Sequence, residues 1–370
     1  MRSVPFYEYP RAFLDDRENV LEVIDRVASK GSFIMQRELE DFETKLASYC
    51  GSKYAIGVAN ATDGLELAWM ASGLSEGDEV IISSHTMLAT ASAIKIAGGV
   101  PIPVGIGSDG LIDPEQIEAA ITDKTVGISP THLNGRTCNM ERIMEIASKH
   151  SLTVIEDAAQ ALGSTWDGKG AGTFGAAAAI SFYPAKVLGC LGDGGAILVQ
   201  DFDLYNKLMA IRDHGRDKNG NVICWGRNSR LDNIQAAVLN MRLESYPKVV
   251  ARRRELAELY DTLLSSIDSV SLDSSRSLTS RSYDIYQNYE IRAKHRDALK
   301  AHLADCGIGT LIQWGGVPVH QFKQLGFDQN LPEVDEFFKE CLMLPLNTFI
   351  SLDDVRYVCQ AIGEFYEKIG

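Results

Sequence analysis

The residues best equipped for chemistry sit in a few short segments of the chain. Ile155-Glu156-Asp157-Ala158-Ala159-Gln160 carries a β-forming run onto a carboxylate. Ser181-Phe182-Tyr183-Pro184-Ala185-Lys186 carries another onto a lysine, and the glycine-rich turn Gly192-Asp193-Gly194-Gly195 follows. Asp157 falls at the carboxyl end of an apolar strand, where open α/β sheets place their ligand crevice. A carboxylate buried there is costly without a cationic partner. A protonated pyridine nitrogen is one such partner, and the pairing strengthens the ring as an electron sink. A surface-loop aspartate or a helix cap fits the same position. Lys186, between Pro184 and the glycine turn, is placed where partial desolvation lowers an amine's pKa and makes it a nucleophile; an exposed surface lysine is the plainer alternative. Asn60-Ala61-Thr62-Asp63-Gly64 joins a strand to a helix from Leu65. Backbone N–H groups there, with the Thr62 hydroxyl beside them, form a phosphate cradle. A simple N-cap by Thr62 or Asp63 is equally compatible.

Such side chains converge only if a sheet aligns the ends of their strands. β-rich runs at Tyr54–Val58, Glu79–Ser83, Pro101–Val104, Thr125–Ser129, Thr153–Asp157, Ala178–Phe182 and Gly195–Val199 predict seven strands. Helical patterns separate most of them, as in Met140–His150, where Ile143, Ile146 and Ala147 recur at three and four. Two helices open the chain, one ending at Gly31 and one, with Leu39, Phe42, Leu46 and Tyr49 at helical spacing, ending at Gly51. The fold class is α/β, with helices on both faces of a mixed, mostly parallel seven-stranded sheet. A long helical stretch rich in Arg and Glu, Leu231–Leu264, is interrupted only by Pro247, and residues 265–282 read as a loop. Tyr283–Ile291 (strand), His295–Cys306 (helix), Gly307–Ile312 (strand) and Asp353–Lys368 (helix) make a smaller α+β unit. The expected division is a large domain over 1–240 and a small one over 241–370.

Composition narrows the partners. The 36 basic and 50 acidic side chains give a formal charge of −14, which argues against a nucleic-acid surface but leaves room for an anionic small substrate. Residues 1–5 lack the apolar core of a signal peptide, and no apolar run reaches bilayer length. Seven scattered cysteines without a C-x-x-C pair read as free thiols in a reducing cytoplasm. The histidines show no zinc spacing.

Phosphate cradle, Asp-x-x-Gln and Ser-Phe-Tyr-Pro-x-Lys occur in the order used by pyridoxal-phosphate enzymes of the aspartate-aminotransferase fold. In EDAAQALGS (156–164), GTFGAAAAISFYPAKVLGCLGDGGAI (172–197) and GRNSRLDNIQAAVL (226–239) the chain resembles the DegT/DnrJ/EryC1/StrS family of sugar aminotransferases over nearly its whole length. The resemblance implies pyridoxal 5'-phosphate held by Lys186 as a Schiff base, with pyridoxamine 5'-phosphate as the alternate form. It places Asp157 on the pyridinium nitrogen, Gln160 near the phenolic oxygen, and Ser181, Thr62 and the Ala61–Thr62 backbone on the phosphate. It also implies that Asn228 reaches the phosphate of a neighbouring subunit, hence a homodimer with shared sites. Arg230 fits a structural pair with Asp232 or a backbone contact.

The chain departs from the family pattern in places. Ala61 stands where glycine is usual. Met87, in Ser84-His85-Thr86-Met87-Leu88-Ala89-Thr90, stands where an aromatic ring stacks on the cofactor; a thioether packs on a ring face less rigidly, and plain core packing is the other reading. Gly315 replaces a common tyrosine in the segment leading to His320, which is either a substrate contact or a structural histidine. Asn134 replaces the tyrosine usual after His132, itself read as structural. Lysine at 186 favours transamination, because dehydratases of the family carry histidine there. The implied donor is glutamate and the implied acceptor a keto sugar on a nucleoside diphosphate. Phe-Tyr-Pro-Ala-Lys with Gly-Asp-Gly-Gly is closer to members acting at C-3 than to those acting at C-4. A cyclitol ketone and a regulatory protein without turnover are the rival readings. His214, Arg216 and Lys218 on the Asp213–Trp225 loop could clamp a pyrophosphate, with a solvated loop as the alternative.

Overall fold

The computed structural model describes residues 2–272 and 281–369. Most of the expected 265–282 loop therefore falls within it, while residues 273–280 lie outside the described residues. Seven strands form the main sheet: β1 (Tyr54–Val58), β2 (Glu79–Ser83), β3 (Val100–Val104), β4 (Thr125–Ser129), β5 (Thr153–Asp157), β6 (Ala177–Ser181) and β7 (Gly195–Val199). Their order is β1-β7-β6-β5-β4-β2-β3. Pairings among β6, β5, β4, β2 and β3 are parallel, and β7 runs antiparallel to both neighbours. Only β7 is reversed, so the carboxyl ends of β1, β5 and β6 share one edge with the start of β7.

The sheet is apolar on both faces because helices cover both. Along β6 and β7, Ala178, Ile180, Ala196 and Leu198 pack into one cluster with Leu39, Phe42 and Leu46. Ala177, Ala179, Ile197 and Val199 alternate into the opposite cluster with Leu65 and Trp69. The small side chains of β6 let the helix Ala61–Ser72 come close: a Cβ on its Gly64 would sit 3.2 Å from the Ala179 Cβ.

A helix of 32 residues, Asn233–Leu264, runs through Pro247 without a break. Its second half packs with Tyr289, Ile291, Leu342, Val358 and Ile362 in a separate cluster. There, Val270–Ser271, Tyr289–Ala293 and Cys341–Leu344 form a three-stranded antiparallel sheet, flanked by helices Arg296–Asp305 and Leu352–Ile369.

Two predicted strands differ. Tyr283–Ile291 is split: Ser282–Tyr283 pairs with Thr165–Trp166, and a new strand starts at Tyr289. Between them Tyr286 takes a left-handed φ of 52°, and Arg253 holds the carbonyls of Tyr286 and Gln287, which leaves no ladder to continue. Gly307–Ile312 makes only isolated bridges, Ile308 to Val4 and Leu311 to Met343. It lies against the N-terminal segment so closely that a Cβ on Gly309 would meet the Phe6 nitrogen at 2.7 Å.

Candidate active site

Strand register brings the candidate residues together. Ser181, last in β6, lies opposite Gly195, which in turn lies opposite Val58 of β1. A Cβ on Gly195 would stand 2.5 Å from the Asn60 carbonyl carbon, so Gly195 lets the Asn60–Ala61 peptide settle beside Ser181. The helix here starts at Ala61 rather than at Leu65, and its cap is Asn60, whose side chain accepts the Asp63 N–H at 2.8 Å. This corrects the sequence-based choice of Thr62 or Asp63 as cap. With Asp63 and Gly64 satisfied by Asn60, the N–H groups of Ala61 and Thr62 are first-turn donors without a helical partner. Ser181 lies across from Gly195, whose backbone packs against the Asn60–Ala61 peptide; free amides at a helix start with a hydroxyl on the neighbouring strand end have the chemistry of an anion site.

Asp157 ends β5 on the same edge and is only 5% exposed. One carboxylate oxygen accepts the Thr90 hydroxyl at 2.7 Å and the other the Ala159 N–H at 3.1 Å. Thr90 continues to Thr86 and Thr131 through contacts of 2.8 Å each. Sequence reasoning assigned none of these threonines: Thr86 precedes the N-cap Met87 and Thr90 lies in the first turn of the helix Leu88–Ile96, so only the entry into that helix brings them together. Among the described residues no arginine or lysine pairs with Asp157 by salt bridge. Lys186 is the cation that senses it: burial lowers the amine to about 8 from the ordinary 10.5, and the Asp157 charge opposes that shift. Lys186 Nζ makes no hydrogen bond or ion pair with any described residue. A cavity of about 1000 Å³ lies against the lysine segment, walled also by Tyr7, Arg253, Gln287, Asn288 and Asn347. Asp157, Thr62 and Ser181 are outside its walls.

The remaining candidates scatter. Gln160 is half-buried, its carbonyl oxygen accepting the Asn134 N–H at 2.8 Å. Met87 is 54% exposed and precedes the helix Leu88–Ile96. Asn228 is exposed, next to the buried Ser229, whose hydroxyl accepts the Ala59 N–H at 3.1 Å. Arg230 pairs with Asp213 at 2.8 Å rather than with Asp232, because the strand-like bridge Asp213–Asn228 brings that carboxylate alongside. His320 is buried with both ring nitrogens engaged, to the Ser84 hydroxyl at 2.7 Å and to Asp335 at 3.0 Å. His132 accepts the Cys138 N–H on Nδ1 and bonds Glu156 through Nε2 at 2.8 Å.

Glu156, fully buried beside Asp157, also accepts backbone N–H groups of Gly172, Phe174 and Gly175. Removing it orphans those donors together with His132. Glu156→Ala is expected to cost about 3–5 kcal/mol of stability, read as a lowered urea midpoint of the far-ultraviolet circular dichroism.

The donor set fits a phosphorylated pyridine aldehyde. It offers a helix N-terminus and hydroxyl for the phosphate, a buried carboxylate with no salt-bridge partner among the described residues for a ring nitrogen, and a desolvated amine without a hydrogen bond or ion pair to them. Together with the seven-stranded sheet, these features define a pyridoxal-phosphate-dependent aminotransferase. The chain belongs to the DegT/DnrJ/EryC1/StrS aminotransferase family, whose model matches residues 14–363. Its relatives include a pleiotropic regulatory protein of Geobacillus stearothermophilus, 37% identical over 98% of this chain and 99% of that one. Another is the dTDP-3-amino-3,6-dideoxy-alpha-D-galactopyranose transaminase of Aneurinibacillus thermoaerophilus, 37% identical with the same coverage. Among solved structures, DesV of Streptomyces venezuelae in complex with a ketimine intermediate superposes with a TM-score of 0.94 at 35% identity, covering 99% of both chains. NtdA of Bacillus subtilis with bound cofactor PMP gives 0.91 at 30% identity, covering 98% of this chain and 85% of that one. Among the described residues no helix is long and apolar enough to cross a membrane.

Proposed function

We propose that this enzyme transfers an amino group from glutamate to the 3-keto carbon of a nucleoside-diphosphate sugar. The observation that carries the reading is the desolvated amine of Lys186, without a partner among the described residues yet within reach of the Asp157 charge. The bound cofactor supplies an electron sink for the carbon losing its proton. Lys186 holds that cofactor; as the free amine its Nζ takes the proton from the donor's α-carbon and later delivers one to the acceptor carbon. Asp157 keeps the ring nitrogen protonated, and the hydroxyl of Thr90 fixes the carboxylate's orientation. The Ala61 and Thr62 amides, the Thr62 hydroxyl and Ser181 hold the phosphate, while Gln160, anchored by the Asn134 amide, orients the ring from its oxygen side. Met87, exposed just before the helix Leu88–Ile96, would offer its thioether to the ring. With both nitrogens of His320 already taken, its part in substrate binding is to position neighbouring side chains.

Position C-3 is supported by the Phe-Tyr-Pro-Ala-Lys and Gly-Asp-Gly-Gly segments and by the 3-amino product in the name of the Aneurinibacillus relative. The cavity against Lys186 supports a bulky acceptor. Incubation with glutamate and either 3-keto or 4-keto nucleotide sugars is expected to give an aminated product from the 3-keto substrate; product from the 4-keto sugar alone would reverse the assignment. The name of the Geobacillus relative favours a second reading, a regulator that keeps its cofactor without turnover. Under it the visible absorbance of the cofactor persists after excess glutamate; under ours it bleaches.

The working unit in this reading is a homodimer with shared sites. Asn228 is exposed, and the nearby loop presents Val222, Ile223 and Trp225 to solvent at 71%, 62% and 94%, an apolar patch that calls for a partner. Mixing chains carrying Lys186→Ala with chains carrying Asn228→Ala should restore up to about a quarter of wild-type activity, because half of randomly formed dimers are hybrids with one intact site. Mixtures that never exceed the sum of the two parents would argue for self-contained sites.

A further inference from the structure

We propose that Gln287 is a positioning residue for Lys186: its side-chain amide spans the lysine and fixes the peptide groups on either side of it. The proposal rests on Lys186 being the lysine that bears the cofactor. Gln287 Nε2 donates to the Ala185 carbonyl at 2.9 Å, and its Oε1 accepts the Val187 N–H at 3.0 Å. A buried side chain thus takes the place of a neighbouring strand, one residue to each side of the reactive amine. The segment it clamps has few other means of holding its shape. Pro184 has no N–H to give, and the lysine's own N–H bonds back to Tyr183 within the same turn.

Gln287 is itself held on several sides. Arg253, on the long helix, donates to the carbonyls of Tyr286 and Gln287, each at 2.7 Å. Gly135 approaches so closely that a Cβ there would lie 2.5 Å from the Gln287 nitrogen. The backbone from which the amide projects is therefore over-determined, which is what a positioning group requires. The next residue reaches the other side of the site: Asn288 donates to the Asn134 side chain at 2.8 Å, and the Asn134 N–H holds Gln160. One short segment leading into the strand Tyr289–Ala293 thus grips both the lysine turn and Gln160.

Two variants separate positioning from mere packing. Gln287→Leu removes both hydrogen bonds at similar volume. Gln287→Glu keeps the acceptor for Val187 but turns a carboxylate oxygen toward the Ala185 carbonyl, a clash relieved only when the acid is protonated. In the holoenzyme, Gln287→Leu should lower kcat about 10–100-fold with little change in the KM for glutamate, as misplacement of a reacting group does. In the full chain freed of cofactor, modification of Lys186 by an amine reagent is followed by peptide mass spectrometry. Its pH midpoint should rise in Gln287→Leu from about 8 toward the ordinary 10.5, as the amine leaves its desolvated place. Gln287→Glu should approach wild type as pH falls, and Gln287→Leu should not. An unchanged midpoint in a folded Gln287→Leu chain, or identical pH profiles for the two variants, would overturn the proposal. Should Gln287→Leu not fold, the pH profile of Gln287→Glu against wild type decides alone: a profile parallel to wild type counts against positioning. If borohydride fixes the cofactor to another residue, the assignment of Lys186 fails separately, whatever the labelling midpoints show.

Discussion

Lys186→Arg should abolish transamination, lowering turnover by about 10⁴-fold or more while leaving the protein folded. Two losses combine. The guanidinium stays charged at any working pH and so can neither hold the cofactor covalently nor carry a proton, and general acid–base catalysis alone is worth about 10²–10⁴-fold. Stability should change little, because Lys186 Nζ makes no hydrogen bond or ion pair with the described residues and only its backbone is tied, to Tyr183 and near Gln287. Single-turnover release of 2-oxoglutarate from glutamate measures the first effect and thermal melting the second. The smaller Lys186→Ala should regain part of the lost rate when a small primary amine such as methylamine is added. Absence of rescue, with a rate above about a hundredth of wild type, would show that the amine is dispensable. Burial lowers the wild-type lysine to about 8, so the amine is protonated below that pH and reactive above it. In the cofactor-free chain its modification rate should climb through about pH 8, well before an ordinary lysine responds.

Asp157→Asn comes second in size, an expected loss of about 10³-fold in kcat. With its single oxygen on the Ala159 N–H, the amide turns its NH2 toward the Thr90 hydroxyl, which can accept it and donate to Thr86 instead, so the fold survives, but the charge proposed to face the ring nitrogen is gone. The same substitution acts on Lys186 in the direction opposite to Gln287→Leu. Asp157 opposes the effect of burial on the lysine, and without it the amine should titrate below about 8. A labelling midpoint that falls in Asp157→Asn, set against one that rises in Gln287→Leu, ties carboxylate, lysine and clamp into one electrostatic unit. A midpoint unmoved by Asp157→Asn would separate the carboxylate from the lysine.

The parts of this site that lie on strands were legible because strand chemistry is local. Alternation and β-branched runs mark β1 to β7 to within a residue of their observed bounds, and a carboxylate or hydroxyl at a strand's last residue points to the ligand edge. What escaped was set by contacts across long stretches of chain. The choice of Asn60 as cap depends on a backbone turn that Gly195, far along the sequence, makes room for. Spacing offers Arg230 only Asp232 or a backbone contact, and it is the bridge at Asn228 that brings Asp213 to it. Gln287 reads as an ordinary residue within a strand until Arg253 and Gly135 bend that strand and send its amide to the lysine turn. The helix Pro332–Glu340 and the strand Cys341–Leu344 went unpredicted, since short apolar runs do not distinguish helix from strand.

All of these roles depend on which amine carries the cofactor. Reduction of the cofactor-loaded protein with borohydride, followed by proteolysis and mass spectrometry, should place one phosphopyridoxyl group per chain on the peptide containing Lys186. A group found on another lysine, or a protein that releases its cofactor unchanged after reduction, would contradict the account.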